Sequence, residues 1–232
     1  MSLFDLSSVL KVYAITDRKM IFNNNYTIEK AVEMAILGGA TIIQIREKEI
    51  TFEEFLHAAQ SVKTITKKYN IPLIINDNLD VAIAADADGI HLGQEDLEKY
   101  NHNLTKIRKR IGDDKIIGVS ANTIEEAIIA EQNGADYLGV NTPFLKTKYS
   151  HNTKLDAKKL SFEDTSNIVN AVKIPCVGIG GVHKETIPLF GGINFVGLAM
   201  ISAIFEEKDI KKNVKMLKNT IENTLRMHKN NL

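Results

Sequence analysis

Residues 73–92, LIINDNLDVAIAADADGIHL, contain two short apolar runs with a segment of helical spacing between them. The runs are Leu73–Asn76 and Gly89–Leu92, and their aliphatic composition is typical of strands that are buried on both faces. The segment between them, Asn78–Ala85, is a candidate for a short helix. A strand, a helix and a second strand in such close succession predict two parallel strands joined by a crossover helix.

The same alternation recurs along the whole chain. Thr27–Leu37, Ser161–Val172 and Asp209–Arg226 have helical spacing, and Thr51 and Thr123 each begin a Thr-x-Glu-Glu pattern that predicts a capping box at the start of a helix. The apolar runs that alternate with the helical segments are Val12–Thr16, Thr41–Arg46, Leu73–Asn76, Gly89–Leu92, Lys115–Ser120, Tyr137–Val140, Pro175–Ile179 and Phe195–Ala199.

Eight strand–helix units in a chain of 232 residues predict an α/β fold, a closed (β/α)8 or TIM barrel. An open, doubly wound sheet usually has fewer strands and stays the alternative. We expect one domain over residues 1–232. Its barrel core would cover about residues 12–205, and a C-terminal helix would cover about residues 209–226.

Composition excludes several classes of protein. The 29 Lys and Arg residues balance the 29 Asp and Glu residues, so the chain has no net charge to attract a polyanion. The single cysteine, Cys176, excludes an internal disulfide and a multi-cysteine metal site. No apolar run approaches the roughly 18 residues that a membrane span needs, and the first residues lack the pattern of a secretion signal. We therefore expect a cytoplasmic protein that binds neither nucleic acid nor membranes.

The second apolar run ends in the block Gln44-Ile-Arg-Glu-Lys48, which contains two cations. Side chains alternate along a strand, so Gln44, Arg46 and Lys48 share the face that points toward the barrel mouth. Cations are costly to desolvate unless an anion pairs with them. Ion pairing with neighbouring carboxylates is one explanation. We favour a phosphate or diphosphate ligand, because Arg supplies a forked contact and Lys a point charge.

Carboxylates follow the next two runs, Asp77 after the third and Asp96 after the fourth. The ends of neighbouring strands meet at one rim of a barrel, so we expect both acids to lie near Arg46 and Lys48. Mg²⁺ is usually bound by one or two carboxylates together with waters and substrate phosphates. Taken singly, Asp77 could cap the following helix and Asp96 a turn. Taken together, the four residues favour a magnesium–diphosphate site.

A second anion site is predicted on the other side of the barrel. The seventh run ends in Gly178-Ile-Gly-Gly181, and Ser202 follows the eighth run at the start of a helix. Many barrels bind a phosphate at this place through backbone N–H groups, although the glycines could also merely turn the chain. Ser120, at the end of the fifth run, is a weaker candidate for a ligand contact. His91 is expected to be a packed polar residue of the core.

Several blocks of the sequence resemble the thiamine phosphate synthase family. The most specific are Gln44-Ile-Arg-Glu-Lys48 and Asp88-Gly-Ile-His-Leu-Gly-Gln-Glu-Asp96. The resemblance runs from about residue 12 to residue 205, and it implies a (β/α)8-barrel transferase of thiamine biosynthesis. The other matching blocks are Tyr13-Ala-Ile-Thr-Asp17, Ile74-Ile-Asn-Asp77, Ile117-Gly-Val-Ser120, Gly134-Ala-Asp-Tyr137, Ile179-Gly-Gly181 and Ile201-Ser-Ala-Ile204.

The resemblance implies that a hydroxymethylpyrimidine diphosphate is joined to a thiazole phosphate, which yields thiamine phosphate and diphosphate. These small phosphorylated molecules would be the partners of the protein, and Mg²⁺, bound by Asp77 and Asp96, would be its cofactor. The implied catalytic residues are Arg46, Lys48, Ser120 and Lys154. The implied substrate-binding residues are Gln44, Ile45, Arg46, Glu47, Lys48, Asn76, Ser120, Thr153, Lys154, Gly181, Ile201 and Ser202.

The loop after the sixth run, Asn141–Lys159, departs from the family pattern and is long enough to contribute to an active site. The family's Thr-x-Thr-Lys motif matches Thr153-Lys154 best, and Thr147-Lys148 is the competing alignment. Two other functions stay open. One is a thiazole tautomerase of the same barrel family, which would not need the Gln44–Lys48 block. The other is a barrel that binds phosphorylated metabolites without catalysis. A homo-oligomer also stays open.

Overall fold

The computed structural model describes residues 5–144 and 160–229, and these residues contain a closed barrel of eight parallel strands. The strands are β1 (Val12–Ile15), β2 (Ile42–Ile45), β3 (Leu73–Asn76), β4 (Gly89–Leu92), β5 (Ile116–Ala121), β6 (Tyr137–Asn141), β7 (Cys176–Ile179) and β8 (Gly197–Met200). Each strand pairs in parallel with the next one along the chain, and β8 pairs with β1. The predicted (β/α)8 barrel is confirmed, and the alternative prediction of an open, doubly wound sheet is wrong.

Helices surround the barrel and connect its strands. None of the helices in residues 5–144 and 160–229 combines the length and apolar character that crossing a membrane requires. They are α1 (Leu6–Val9), α2 (Arg18–Asn23), α3 (Ile28–Gly38), α4 (Phe52–Lys68), α5 (Leu79–Ala84), α6 (Gln94–Glu98), α7 (Leu104–Ile111), α8 (Ile124–Gln132), α9 (Phe162–Asn170), α10 (Ser202–Phe205) and α11 (Ile210–Lys229), with a 3₁₀ helix at Ile187–Phe190.

The strand side chains form two apolar layers. Tyr13, Ile42 and Tyr137 belong to the layer inside the barrel, and all three are almost fully buried. Ile43 and Ile45 belong to the layer between the strands and the helices. Burying each large apolar side chain contributes about 1.5–3 kcal/mol, so a strand with both faces covered is held firmly in its register. Polar groups from the inner face reach solvent only at the mouth of the barrel.

Two glycines provide space for large polar side chains inside the barrel. A Cβ atom on Gly118, in β5, would overlap the ring of Tyr137. A Cβ atom on Gly139, in β6, would lie 3.1 Å from Cε1 of His91, which is tighter than ordinary packing allows. The interior therefore holds a tyrosine and a histidine because the neighbouring strands have no side chain at these two positions.

The predicted capping pattern is complete at Thr51 but not at Thr123. Thr51 Oγ1 accepts a hydrogen bond from the Glu54 N–H at 3.2 Å, and the Glu54 carboxylate accepts one from the Thr51 N–H at 2.9 Å. Thr123 Oγ1 accepts from the Glu126 N–H at 3.1 Å. The Glu126 carboxylate accepts instead from the N–H of Asn122, at 2.6 Å. The prediction of a second capping box is therefore wrong, although Thr123 does cap α8.

Candidate active site

Two carboxylates border the same space at the ends of β3 and β4. Asp77 directly follows β3 with φ +61°, a left-handed conformation that Asp tolerates better than most residues. Its Oδ1 accepts a hydrogen bond from the Gly93 N–H at 3.0 Å. Asp96 lies in the first turn of α6. A Cβ atom on Gly93 would lie 3.8 Å from a carboxylate oxygen of each aspartate, so both acids face the space beside Gly93.

The electrostatics of this aspartate pair favour a cation. Burial, together with the nearby charge of Asp96, raises the pKa of Asp77 above its usual range. The Asp96 carboxylate lies 2.5 Å from Nζ of Lys99, but that lysine side chain is largely exposed. A positive charge placed between the two acids would relieve their mutual repulsion. The assignment of a metal ion to this pair stays a prediction.

The interpretation of Asp77 as a helix cap is wrong. The side chain of the next residue, Asn78, accepts a hydrogen bond from the Val81 N–H at 3.0 Å and caps α5. Asp96 is not the N-cap of its helix either, because α6 begins after Gly93. Both carboxylates are therefore available for a role other than capping the helix beside them.

The donor set suits a hydrated Mg²⁺ ion. Over the part of the chain that the structure describes, no three or more His, Cys, Asp or Glu side chains are grouped around one metal position. Mg²⁺ needs no such cage, because it is usually bound by one or two carboxylates, waters and substrate phosphates. The Asn76 amide donates a hydrogen bond to Asp77 and orients its carboxylate. Asp77 and Asp96 therefore fit the ion that the sequence predicts.

The predicted anion-binding block follows β2 at the same rim. The Arg46 N–H donates to Oγ1 of Thr16 at 3.1 Å, which ties this block to the end of β1. The Arg46 side chain is partly exposed, and it forms no ion pair with any other described residue. For Arg46, the alternative of internal ion pairing therefore has no support within residues 5–144 and 160–229. Lys48 is exposed two residues farther along the chain.

Two members of this block direct their side chains away from the barrel interior. Ile45 lies in the apolar layer beneath the helices. The Glu47 side chain is only 1 % exposed, and its Oε2 accepts a hydrogen bond from Nε of Arg18 in α2 at 2.7 Å. Its other oxygen has no hydrogen-bond partner among the described residues. These two side chains anchor the segment that carries Arg46, and only their main-chain atoms are left for substrate contact.

A chain of hydrogen bonds crosses the barrel interior. Gln44 Nε2 donates to Oη of Tyr13 at 2.6 Å, and this oxygen lies 2.7 Å from Oη of Tyr137. Tyr137 Oη lies 2.9 Å from Nδ1 of His91, and Nε2 of His91 lies 3.0 Å from Oγ of Ser120. The chain thus joins two predicted substrate-binding residues, Gln44 and Ser120, through three side chains that the sequence analysis did not assign to the site.

Burial keeps the groups in this chain neutral. Desolvation raises the pKa of Tyr13 and of Tyr137 well above the usual range of a tyrosine. It also lowers the pKa of His91 to about 4, because the imidazolium would lose its hydration. Near pH 7 the interior therefore contains hydrogen-bonded dipoles and no net charge. The expectation that His91 is a buried polar residue agrees with its 8 % exposure.

One sequence signal could have identified the missed residues. Tyr13, His91 and Tyr137 are polar aromatic residues within three short, otherwise apolar or glycine-containing strand runs, which is unusual for a purely structural barrel interior. Gln94 was also missed, although it belongs to one of the blocks that carry the family resemblance. Its Nε2 donates to the carbonyl oxygen of Ser120 at 2.5 Å and holds the end of β5 in place.

The glycines after β7 form a tight turn. Gly180 and Gly181 have φ values of +92° and +62°, which favour glycine. A Cβ atom on Gly181 would clash with the backbone of Phe144, so the loops after β6 and β7 approach closely here. The Thr142 hydroxyl donates to the carbonyl oxygen of Gly180, and the Thr186 hydroxyl donates to that of Gly181 at 2.8 Å. The glycines therefore turn the chain, and their threonine partners hold the turn.

The other two residues predicted near the thiazole phosphate follow β8. Ile201 immediately precedes α10, and Ser202 is the first residue of that helix and is buried. Strands β7 and β8 are paired, so Gly181, Ile201 and Ser202 lie at the ends of neighbouring strands. Their assignment to the thiazole phosphate stays a prediction.

The predicted Thr-Lys motif lies outside the described residues. This applies to Thr153 and Lys154 as well as to the competing pair, Thr147 and Lys148. The loop predicted for residues 141–159 is described only as far as Phe144. The roles of these residues therefore stay predictions from the sequence.

Comparisons with known proteins identify the family of this chain. Residues 12–204 match the family model described as thiamine monophosphate synthase. A thiamine-phosphate synthase of Clostridium botulinum is 48% identical over 92% of this chain and 96% of its own length, and one of Clostridium tetani is 47% identical over 87% and 90%. The solved structure of a thiamine phosphate pyrophosphorylase from Pyrococcus furiosus has a TM-score of 0.82 and 34% identity over 95% of this chain and 100% of that one. The chain belongs to the thiamine monophosphate synthase family.

Proposed function

We propose that the protein is a thiamine-phosphate synthase. It transfers the methylpyrimidine unit of 4-amino-2-methyl-5-hydroxymethylpyrimidine diphosphate to the ring nitrogen of 4-methyl-5-(2-hydroxyethyl)thiazole phosphate. The products are thiamine phosphate and diphosphate. The observation that carries the proposal is the pair of carboxylates, Asp77 and Asp96, that meet beside Gly93 at the same rim as Arg46. We also propose that the protein is located in the cytoplasm.

Asp77 and Asp96 hold Mg²⁺ in this proposal. When bound, the ion neutralises part of the charge of the diphosphate and so makes it a better leaving group. Asn76 keeps the Asp77 carboxylate oriented through its amide hydrogen bond. Asp77 also accepts the Gly93 N–H, which positions its carboxylate beside the end of β4.

Arg46 and Lys48 bind the diphosphate. The planar guanidinium of Arg46 forms a forked contact with two phosphate oxygens, and the ammonium of Lys48 adds a point charge. Both groups interact more strongly with the leaving diphosphate than with the ester, because negative charge grows as the C–O bond breaks. The ion pair between the buried Glu47 side chain and Arg18 keeps this segment in position.

Gln44 and Ser120 contact the pyrimidine in this proposal. The C–O bond breaks first, and its electron pair leaves with the diphosphate. The amino-substituted ring delocalises the positive charge that remains on the methylene carbon. The lone pair of the thiazole nitrogen then forms the new C–N bond. This nitrogen carries no proton, so the reaction needs no general base from the protein.

The thiazole phosphate binds on the opposite side of the mouth. Gly181 and Ile201 offer backbone groups, and Ser202 offers its hydroxyl. In this proposal Thr153 and Lys154 contribute the remaining contacts that bind both substrates. The loop that contains them would keep water away from the reactive methylene carbon, because water would otherwise compete with the thiazole nitrogen.

The decisive experiment mixes the two phosphorylated precursors with the protein and Mg²⁺. Thiamine phosphate and diphosphate should form in equal amounts, and a chelator should stop the reaction. Isomerisation of a thiazole phosphate precursor in the absence of the pyrimidine would identify a tautomerase instead. Calorimetric binding of both substrates without any product would identify a non-catalytic binding barrel.

A further inference from the structure

The hydrogen-bond chain inside the barrel has a direction that follows from its donors. The Gln44 Nε2 atom can only donate, so Tyr13 Oη accepts its proton. A phenol has a single proton, and among the residues that the structure describes the Tyr13 hydroxyl has one other polar contact, Oη of Tyr137 at 2.7 Å. Tyr13 must therefore donate to Tyr137.

The same count continues to the far end of the chain. Having accepted from Tyr13, the Tyr137 hydroxyl donates its own proton to Nδ1 of His91. That nitrogen is then an acceptor without a proton, and the proton of the neutral ring is on Nε2. Nε2 donates to Oγ of Ser120 at 3.0 Å, so the serine hydroxyl proton is not used within the chain.

The opposite direction leaves a buried proton without an acceptor. If Nδ1 of His91 donated to Tyr137, then Tyr137 would donate to Tyr13. Tyr13 would accept from both Tyr137 and Gln44, and its own proton would point into an interior where the residue is 1 % exposed. A doubly protonated imidazolium creates the same orphan, because its Nδ1 also donates.

We propose that Tyr13 and Tyr137 are positioning residues that hold His91 as its Nε2–H tautomer, so that the Ser120 hydroxyl is presented to the substrate as a hydrogen-bond donor. The matching group on the substrate is an acceptor such as a ring nitrogen of an aminopyrimidine, and not its amino group. This assignment of a substrate group rests on the proposed synthase function. The tautomer of His91 in the substrate-free protein does not depend on it.

Two features of the fold hold the chain in place. Gly118 and Gly139 leave the space that the Tyr137 ring and the His91 ring occupy, so neither ring has room for a residue with a Cβ atom beside it. At the serine, the Gln94 amide donates to the carbonyl oxygen of Ser120 and leaves Oγ to face His91. Five strands, β1, β2, β4, β5 and β6, each contribute one member of the chain.

The direct test is nitrogen-15 NMR of the imidazole ring in the substrate-free protein. A background in which the other five histidines are replaced by glutamine leaves His91 as the only signal. We expect a single neutral tautomer with the proton on Nε2. The Nδ1–H tautomer, or an imidazolium near pH 7, would overturn the proposal.

The Tyr137→Phe variant tests whether the chain sets the tautomer. It retains the ring and removes the hydroxyl that links Tyr13 to Nδ1 of His91, so we expect both tautomers to become populated. The matched control is Tyr69→Phe. Tyr69 lies at the end of α4, and its hydroxyl donates to the Glu33 carboxylate in α3, so its removal should leave the His91 signal unchanged. An unaltered Nε2–H signal in Tyr137→Phe would show that the chain does not select the tautomer.

Kinetics of the same variants test the assigned substrate group. Tyr137→Phe should lower kcat/KM for the pyrimidine diphosphate by about 10-fold, which corresponds to one misdirected hydrogen bond. The KM for the thiazole phosphate should change by less than about 2-fold, and Tyr69→Phe should change neither. If both tautomers of His91 are populated in Tyr137→Phe but the kinetics are unaltered, the role of Ser120 as a hydrogen-bond donor to the substrate is contradicted. Absence of synthase activity in the wild-type protein would leave the NMR result standing.

Discussion

The Asp77 carboxylate accepts the backbone N–H of Gly93 at 3.0 Å, and this contact adds a side-chain link to the backbone pairing between the ends of β3 and β4. Asp77 reaches it from a left-handed backbone conformation at φ +61°. The sequence suggested Asp77 as either a helix cap or a metal ligand. In the structure its side chain does not cap α5, because Asn78 does so. It is directed at the space that Asp96 also borders.

Removing a carboxylate from this space should abolish synthesis. We expect Asp77→Ala and Asp96→Ala each to lower magnesium-dependent thiamine phosphate formation by more than about 100-fold, because the diphosphate loses its counter-ion. The fold should survive in both variants. The measurement is the initial rate over a range of Mg²⁺ concentrations, with circular dichroism to check folding.

The control for Asp96 lies on the same helix. Glu98→Ala removes an exposed carboxylate from α6 and should leave the rate within about 2-fold of wild type. Turnover like that of the wild type in either aspartate variant would remove the metal assignment.

The ion pair between partly exposed Arg18 and the buried carboxylate of Glu47 should matter for stability. Arg18→Ala leaves the Glu47 carboxylate, 1 % exposed, without its cation, and we expect the free energy of unfolding to fall by about 1–3 kcal/mol. Urea denaturation measures this change. Lys68→Ala removes the exposed cation of a surface pair with Glu33 and should leave the free energy of unfolding almost unchanged. Equal losses in the two variants would contradict the structural role of Glu47.

A methyl group on Gly118 should destabilise the barrel. In Gly118→Ala the new Cβ overlaps the Tyr137 ring, so we expect a loss of at least about 2 kcal/mol in the free energy of unfolding. Gly192→Ala is the matched substitution, because no described atom lies within 4 Å of its added Cβ. That variant should stay within about 0.5 kcal/mol of wild type. A Gly118→Ala protein as stable as Gly192→Ala would mean that Tyr137 is not confined by β5.

Burial of His91 should make stability fall as the pH decreases. The folded-state pKa is about 4 and the ordinary value is 6.5, so between these values the unfolded chain binds a proton that the folded protein excludes. The stabilisation is complete above about pH 7 and decreases by about 3 kcal/mol as the pH falls to about 4. Urea denaturation at several pH values measures this dependence.

The comparison that isolates this effect is His91→Gln. The other titrating groups are shared, so wild type should lose about 3 kcal/mol more than the variant between pH 7 and pH 4. Parallel pH profiles of the two proteins would show that His91 binds its proton equally well in the folded and unfolded states.

The two candidate Thr-Lys pairs should differ in their importance. We expect Lys154→Ala to lower the rate of synthesis more than Lys148→Ala, since Thr153-Lys154 is the better match to the family motif. Each variant serves as the control for the other, and steady-state rates with both substrates decide between them. The reverse order would assign the motif to Thr147-Lys148.

Local patterns predicted some features of the site better than others. The block Gln44–Lys48 was identified because strand alternation and charge are visible within a few residues. The pairing of Glu47 with Arg18 was not, since the two residues lie on different units of the barrel and share no sequence pattern. The capping box predicted at Thr51 was correct. At Thr123 the Glu126 carboxylate accepts the N–H of Asn122 instead of the N–H of Thr123, and the Thr-x-Glu-Glu pattern does not reveal this alternative partner.

The amino-acid sequence by itself determined the eight alternating units and the positions of polar residues at strand ends, because hydrophobic period and turn chemistry act over short distances. The tertiary structure alone decided which polar groups meet. Gln44, Tyr13, Tyr137, His91 and Ser120 come from five strands, and their contacts depend on barrel closure and strand register. The space at Gly118 and Gly139 completes that arrangement, because buried polar groups are stable only where partners and room coincide.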